Sequence, residues 1–130
     1  MPSVPRAPKL TIAIVDDHAG FRTAAVQILE TAGYAVEGFS SVAAFVASGA
    51  LLRIHCLMLD VGMPEIDGLA LQECLRCTNY ELPIVFCSGH PEAKARAIAN
   101  GAAAFLPKPV TASRLLKTIR TACAQPRRKQ

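Results

Sequence analysis

The chain has no tryptophan, two tyrosines and five phenylalanines. So few rings leave little for bases to stack on, which argues against a single-stranded nucleic-acid platform. No apolar run approaches the ~20 residues that a bilayer span needs. The first nine residues hold three prolines and no apolar h-region, so they form a lead-in and not a secretory signal, and the cytoplasm is the expected compartment. Cysteine is present but incomplete as a framework. Five residues is an odd number, and Cys74-x-x-Cys77 has no second pair to finish a four-ligand zinc site. All five are expected to be reduced, with Cys74 facing inward beside Leu69, Leu71 and Leu75. A net charge of +4 permits nucleic-acid contact, but Arg127-Arg128-Lys129 lies at the extreme C-terminus and fits a solvated tail, so direct nucleic-acid binding is not expected.

What is present is a core. At 52% hydrophobic and 18% charged over 130 residues, the chain is excluded from global disorder and sized for one domain. Residues 1–9 are expected to be a flexible lead-in, 10–124 the folded domain and 125–130 a basic tail. Apolar runs at 10–15, 34–39, 54–59, 83–87 and 102–106 suit strands. Between them the spacing turns helical: Phe21 to Ala32 stopped at Gly33, a short helix capped by Ser40 or Ser41, a helix capped by Asp67, an alanine-rich helix over 92–100 closed by Gly101, and a last stripe of Leu115, Leu116, Ile119, Ala122 and Cys123. The helix over 92–100 has a thin apolar face and is expected to be loosely held. Five strand-helix alternations with short connections predict an α/β fold, a doubly wound five-stranded parallel sheet covered by five helices.

Four of the five strand ends carry polar groups: Asp16 and Asp17, Asp60, Ser88, and Lys108. In open α/β sheets ligands bind just outside these ends. Three carboxylates converging there need a cation, and with no His or Cys ligand pattern nearby a hard ion such as Mg²⁺ fits best. Lys108 adds a positive charge and Ser88 a hydroxyl donor, a set that suits a phosphoryl group. The chemistry that follows is attack by the Asp60 carboxylate on a donor's phosphorus to give an acyl phosphate.

The motifs Val15-Asp16-Asp17-His18, Leu59-Asp60-Val61-Gly62-Met63-Pro64-Glu65-Ile66-Asp67-Gly68, Ser88-Gly89-His90 and Phe105-Leu106-Pro107-Lys108-Pro109 together resemble the receiver domain of two-component response regulators. The resemblance covers about Lys9 to Ala124, and its Ser-Gly-His and Met-Pro-x-x-Asp-Gly elements are most similar to receivers of the nitrogen-fixation type. It implies a flavodoxin-like sheet of order 2-1-3-4-5. It also implies Asp60 as phosphoacceptor, Asp16, Asp17, Asp60 and the backbone carbonyl of Gly62 as Mg²⁺ ligands, Lys108 as the contact to the acyl phosphate, a cis bond to Pro109, and Ser88 with Phe105 as the switch pair. The implied function is phosphorelay. A sensor histidine kinase or a phosphotransfer protein supplies the phosphoryl group, and the surface of the fourth helix, fifth strand and last helix changes for a homodimer, an output domain or a partner protein. Catalysis is limited to self-phosphotransfer and autodephosphorylation. No output domain is visible, so the chain is expected to be a single-domain regulator or the receiver of a longer one.

Two departures stand out. Gly62 lacks the long side chain that many receivers carry two residues after the phosphoacceptor, and His90 places a bulky polar group two residues after Ser88, so phosphoryl lifetime is expected to depend on Gly62 and mainly on His90. An Asp-nucleophile phosphatase would need a second acid at the place of Gly62. A degenerate receiver would not keep Asp16, Asp17, Asp60, Ser88 and Lys108 together.

Overall fold

A computed structural model describes residues 9–63 and 67–124. The lead-in (apart from Lys9), the basic tail and the loop positions Pro64, Glu65 and Ile66 lie outside the described residues. Five strands and five α-helices alternate in the order β1 (Thr11–Val15), α1 (Ala19–Thr31), β2 (Ala35–Phe39), α2 (Val42–Ser48), β3 (Cys56–Leu59), α3 (Gly68–Cys77), β4 (Ile84–Ser88), α4 (Lys94–Ala99), β5 (Ala104–Pro107) and α5 (Ala112–Ala124). All ladders are parallel and the sheet order is β2-β1-β3-β4-β5. Among the described residues no helix is long and apolar enough to cross a membrane.

The central strands are apolar on both faces because both are covered, as parallel sheets require. Val15, Leu57, Leu59 and Phe86 join one cluster with Phe45 of α2, Leu69, Leu71 and Leu75 of α3 and Ala97 of α4. Ile12, Ile14, Met58 and Val85 join a second with Leu29 of α1 and Leu115 and Ile119 of α5. The two faces alternate along each strand, so one run of sequence feeds both layers.

Caps fix where helices begin at the site end of the sheet. Asp67 accepts from Ala70 N–H at 2.8 Å and Ser41 from Ala44 N–H at 3.0 Å. At α1 the cap is His18, whose Nδ1 accepts from Phe21 N–H at 3.1 Å. The helix ends at Gly33, whose φ of 102° only glycine adopts without cost.

Two helices differ from the expectation. On α3 the inward residues are Leu69, Leu71, Gln72 and Leu75, while Cys74 and Cys77 are exposed. The buried residues of α3 centre between Gln72 and Leu75, and at 100° per residue Cys74 falls well to the side of that face. The segment over 92–100 divides into a 3₁₀ turn, Pro91–Ala93, and the six-residue α4. Its apolar face is thin, with Ala97 the buried position of α4, but a polar tether adds to it: Gln72 Nε2 donates to the Ala97 carbonyl at 2.8 Å.

Candidate functional site

The parallel sheet brings the ends of β1, β3, β4 and β5 side by side. Asp60 N–H donates to the Val15 carbonyl at 3.1 Å, Asp16 N–H to Phe39 at 3.0 Å, and Lys108 N–H to Ser88 at 3.0 Å, so the strand register itself aligns the polar residues. All five polar residues expected at the strand ends are brought together. Asp16 is 2% exposed, Asp60 8% and Ser88 0%, whereas Asp17 stands in solvent at the rim.

Each of the two buried carboxylates is oriented by fixed donors. Asp16 Oδ1 accepts from His18 N–H at 2.8 Å, and its Oδ2 accepts from Lys108 Nζ at 2.7 Å. Asp60 Oδ1 accepts from Val61 N–H at 2.8 Å. The other oxygen, Oδ2, lies 3.8 Å from Lys108 Nζ, an ion pair without a hydrogen bond, and looks into the cleft. The Lys108 ammonium also sits 4.3 Å from the centroid of the Phe21 ring, a cation–π contact that holds it over the acids. Phe21 was counted only as part of a helical stripe; nothing in the sequence links it to a lysine 87 positions away.

Oxygen atoms of Asp16, Asp17 and Asp60 lie within 4.8 Å of one another. Three carboxylates, two of them buried, with one lysine for compensation, leave negative charge that a hard cation would neutralise, and oxygen donors of this kind fit Mg²⁺ better than a softer ion. Gly62 follows Asp60 at the same loop, with its carbonyl a further candidate ligand.

Beside the acids is an open cleft of about 510 Å³, lined among others by Asp17, Phe21, Asp60, His90 and Lys108. The imidazole of His90 fills the space above Gly62. A Cβ placed on Gly62 would collide with His90 Nε2 and lie 2.9 Å from its Cδ2, so the two departures noted in the sequence are one feature. His90 Nδ1 is 3.3 Å from Glu92 Oε1, and the ring is about half exposed. Ser88 Oγ accepts from His90 N–H at 3.1 Å, and its own hydroxyl hydrogen has no protein acceptor among the described residues. Phe105, expected to turn from exposed to buried only on phosphorylation, is already buried beside Phe86 with ring centroids 6.2 Å apart, because the ring belongs to the apolar cluster between the sheet and α3. The Lys108–Pro109 bond is cis.

Charge is segregated along the chain. Residues 93–130 contain nine of the fourteen Lys and Arg and none of the ten Asp and Glu. Of these nine, Lys94, Arg114, Lys117 and Arg120 are exposed and make no ion pair among the described residues; Arg96 pairs with Glu73 of α3 at 3.5 Å.

A doubly wound sheet with acids, a hydroxyl and a lysine at its carboxyl edge defines a phosphoryl-handling α/β domain. The model of the response regulator receiver domain matches residues 12–120, and the chain belongs to that family. It is 40% identical over 113 residues to response regulator protein TmoT of Ectopseudomonas mendocina, covering 85% of this chain and 51% of that one. It is 32% identical to transcriptional regulatory protein FixJ of Azorhizobium caulinodans, over 85% of this chain and 54% of the other. The chain thus spans about half the length of these relatives. Among solved structures, response regulator StyR superposes with a TM-score of 0.80 at 35% identity, covering 89% of this chain and 60% of that one. This protein is therefore a receiver domain of two-component response regulators, and phosphorylation on an aspartate with Mg²⁺ is general for its family.

Proposed function

We propose that Asp60 is the phosphoacceptor, that Asp16, Asp17, Asp60 and the Gly62 carbonyl hold Mg²⁺, and that residues 10–124 act as the receiver in the cytoplasm, with no catalysis beyond self-phosphotransfer and autodephosphorylation. The observation that carries this is the buried Asp60 carboxylate, pinned through Oδ1 and open to the cleft through Oδ2, with two further acids and one lysine around it. A bound Mg²⁺ would supply charge neutralisation for the acids and the phosphoryl oxygens. The rest falls to the chain. Asp60 Oδ2 forms the bond to phosphorus as the donor's phosphorus–nitrogen or phosphorus–oxygen bond breaks, the donor being a histidine kinase or a phosphotransfer protein. Lys108 leaves Asp16 for a phosphoryl oxygen. Ser88 turns its free hydroxyl to another, and Phe105 occupies the space beside β4 in the inward position it already holds.

His90 is the group that governs water. Its ring covers the open space that Gly62 leaves, so it shields the acyl phosphate. Acetyl phosphate with Mg²⁺ is expected to add one phosphoryl group to the wild type and none to Asp60→Asn, and the adduct on His90→Ala is expected to decay about 3–10 times faster than on the wild type. Label on Asp60→Asn would contradict the assignment of the acceptor, and an unchanged decay rate the role of His90.

The charge of the α4, β5 and α5 surface favours an acidic output domain or partner over a second copy. In a two-fold dimer this face would meet itself, setting Lys94, Arg114 and Lys117 against their own copies with no acid between them. Sedimentation equilibrium of the beryllofluoride-loaded protein is expected to show a monomer; a dimer broken by Lys117→Glu would oppose this.

A further inference from the structure

We infer that Cys56 and Cys123 form an oxidisable dithiol, which a peroxide converts to a disulfide stapling β3 to α5. Cys56 opens β3, is fully buried, and points to the same side of the sheet as Ile12, Met58 and Val85, the side that α5 covers. Cys123 lies in the last turn of α5 and packs against that same cluster while keeping part of its surface in solvent. Because α5 returns along the sheet from the end of β5, its last turn lies over the strand beginnings, where Cys56 is. Cys123 packs against the cluster that holds Cys56, near enough that each thiol shifts the ionisation of the other.

That proximity makes the pair unequal. Interaction with Cys56 favours the Cys123 thiolate and draws its pKa below the ordinary thiol value. On Cys56 the same interaction and full burial act in the opposite direction and keep it protonated. Cys123 is therefore the attacking sulfur and Cys56 the resolving one. The Cys123 thiolate attacks one peroxide oxygen, the O–O bond breaks, and hydroxide leaves to take a proton as water. The resulting Cys123 sulfenic acid condenses with the Cys56 thiol. The S–S bond forms, the S–OH bond breaks, and the Cys56 proton leaves with the hydroxyl as a second water. Two electrons pass from the dithiol to the peroxide.

No other cysteine can take the place of Cys56. Cys87 belongs to the same face but lies at the far end of the sheet, near Asp16, Asp60 and Lys108, and burial pushes its thiol up to about 12. Cys74 and Cys77 are exposed on α3, which covers the opposite face. The staple would join the strand that delivers Asp60 to the helix that follows Lys108, across 66 intervening residues, so it should stabilise the fold by restricting the unfolded chain.

The test uses the full reduced chain, treated with a small excess of hydrogen peroxide, alkylated and mapped by peptide mass spectrometry. Expected are a cross-linked Cys56–Cys123 peptide lighter by about 2 Da than its two thiol halves, a raised Tm, no such peptide from Cys123→Ser, and a dimedone adduct on Cys123 in Cys56→Ala. The inference is overturned if Cys123 stays free while Cys74 and Cys77 oxidise. It is equally overturned if the cross-link forms only after the chain has been unfolded in denaturant.

Discussion

Replacing Lys108 by Ala is expected to lower the stability of the metal-free protein by about 3 kcal/mol, and Mg²⁺ is expected to restore most of the loss. The ammonium is the cation beside Asp16 and Asp60, at 2.7 and 3.8 Å, and Asp16 is almost wholly buried. Removing it takes the ion-pair partner from two buried acids, with a third at the rim, and leaves the Arg22 guanidinium on the Asp16 carbonyl as the nearby cation. For a domain of this size the change is worth roughly 10 °C in Tm. If Mg²⁺ were to bind Asp16 through the oxygen that Lys108 holds, the variant should bind the ion at least as well as the wild type. Phosphoryl uptake should survive at a reduced rate, while the surface around α4, β5 and α5 no longer responds to it. Thermal melts with and without Mg²⁺ measure the first part. Equal losses in both conditions would show that Lys108 and the metal do not share a site. Amide exchange on α4 and α5, compared between the free and beryllofluoride-treated variant, measures the second.

Gly68→Ala should destabilise the protein by about 2–4 kcal/mol and abolish phosphoryl uptake. Helix propensity alone gives the opposite sign, since Gly to Ala within a helix favours folding by about 1 kcal/mol. The decisive fact is position. Gly68 is the first residue of α3, and a Cβ there would run into the Asp60 carbonyl oxygen while lying 3.2 Å from both Asp60 C and Phe86 Cε1. These neighbours are backbone and a buried ring, so α3 or the Asp60 loop has to move. Gly62→Ala is the internal control. Its Cβ would meet only the ring of the half-exposed His90, which can swing outward, so stability should change by less than about 0.5 kcal/mol. Chemical denaturation of both variants checks the contrast; equal costs would mean that the close approach at Gly68 does not constrain the loop.

Much of this site was legible because it rests on short-range chemistry. A four-residue buried strand, Cys-Leu-Met-Leu, ends in an acid; β-branched residues precede Asp16; Pro107 and Pro109 flank Lys108. Alternation of such strands with helical stripes forces a parallel sheet, and a parallel sheet sets its carboxyl ends together. What stayed hidden depends on pairs far apart in sequence. Gln72 is polar, yet it is buried with its amide donating to the Ala97 carbonyl; Cys74, expected inside for its hydrophobicity, is exposed. The cation–π contact of Lys108 with Phe21, the packing of Cys123 on the cluster that holds Cys56, and the His90 ring beside Gly62 join residues that no periodicity relates. The absence of acids after Glu92 was readable from composition by segment, which whole-chain charge conceals.

The central claim is that Asp60 accepts the phosphoryl group while Asp16 and Asp17 hold the metal and Lys108 changes partner. A crystal structure of the protein with Mg²⁺ and beryllofluoride tests it most directly. Expected are the fluoride adduct on Asp60 Oδ2, the metal on Asp16, Asp17, Asp60 and the Gly62 carbonyl, and Lys108 Nζ moved from Asp16 to a fluorine. An adduct elsewhere, or Lys108 still bonded to Asp16 beside a fully occupied Asp60, would contradict it.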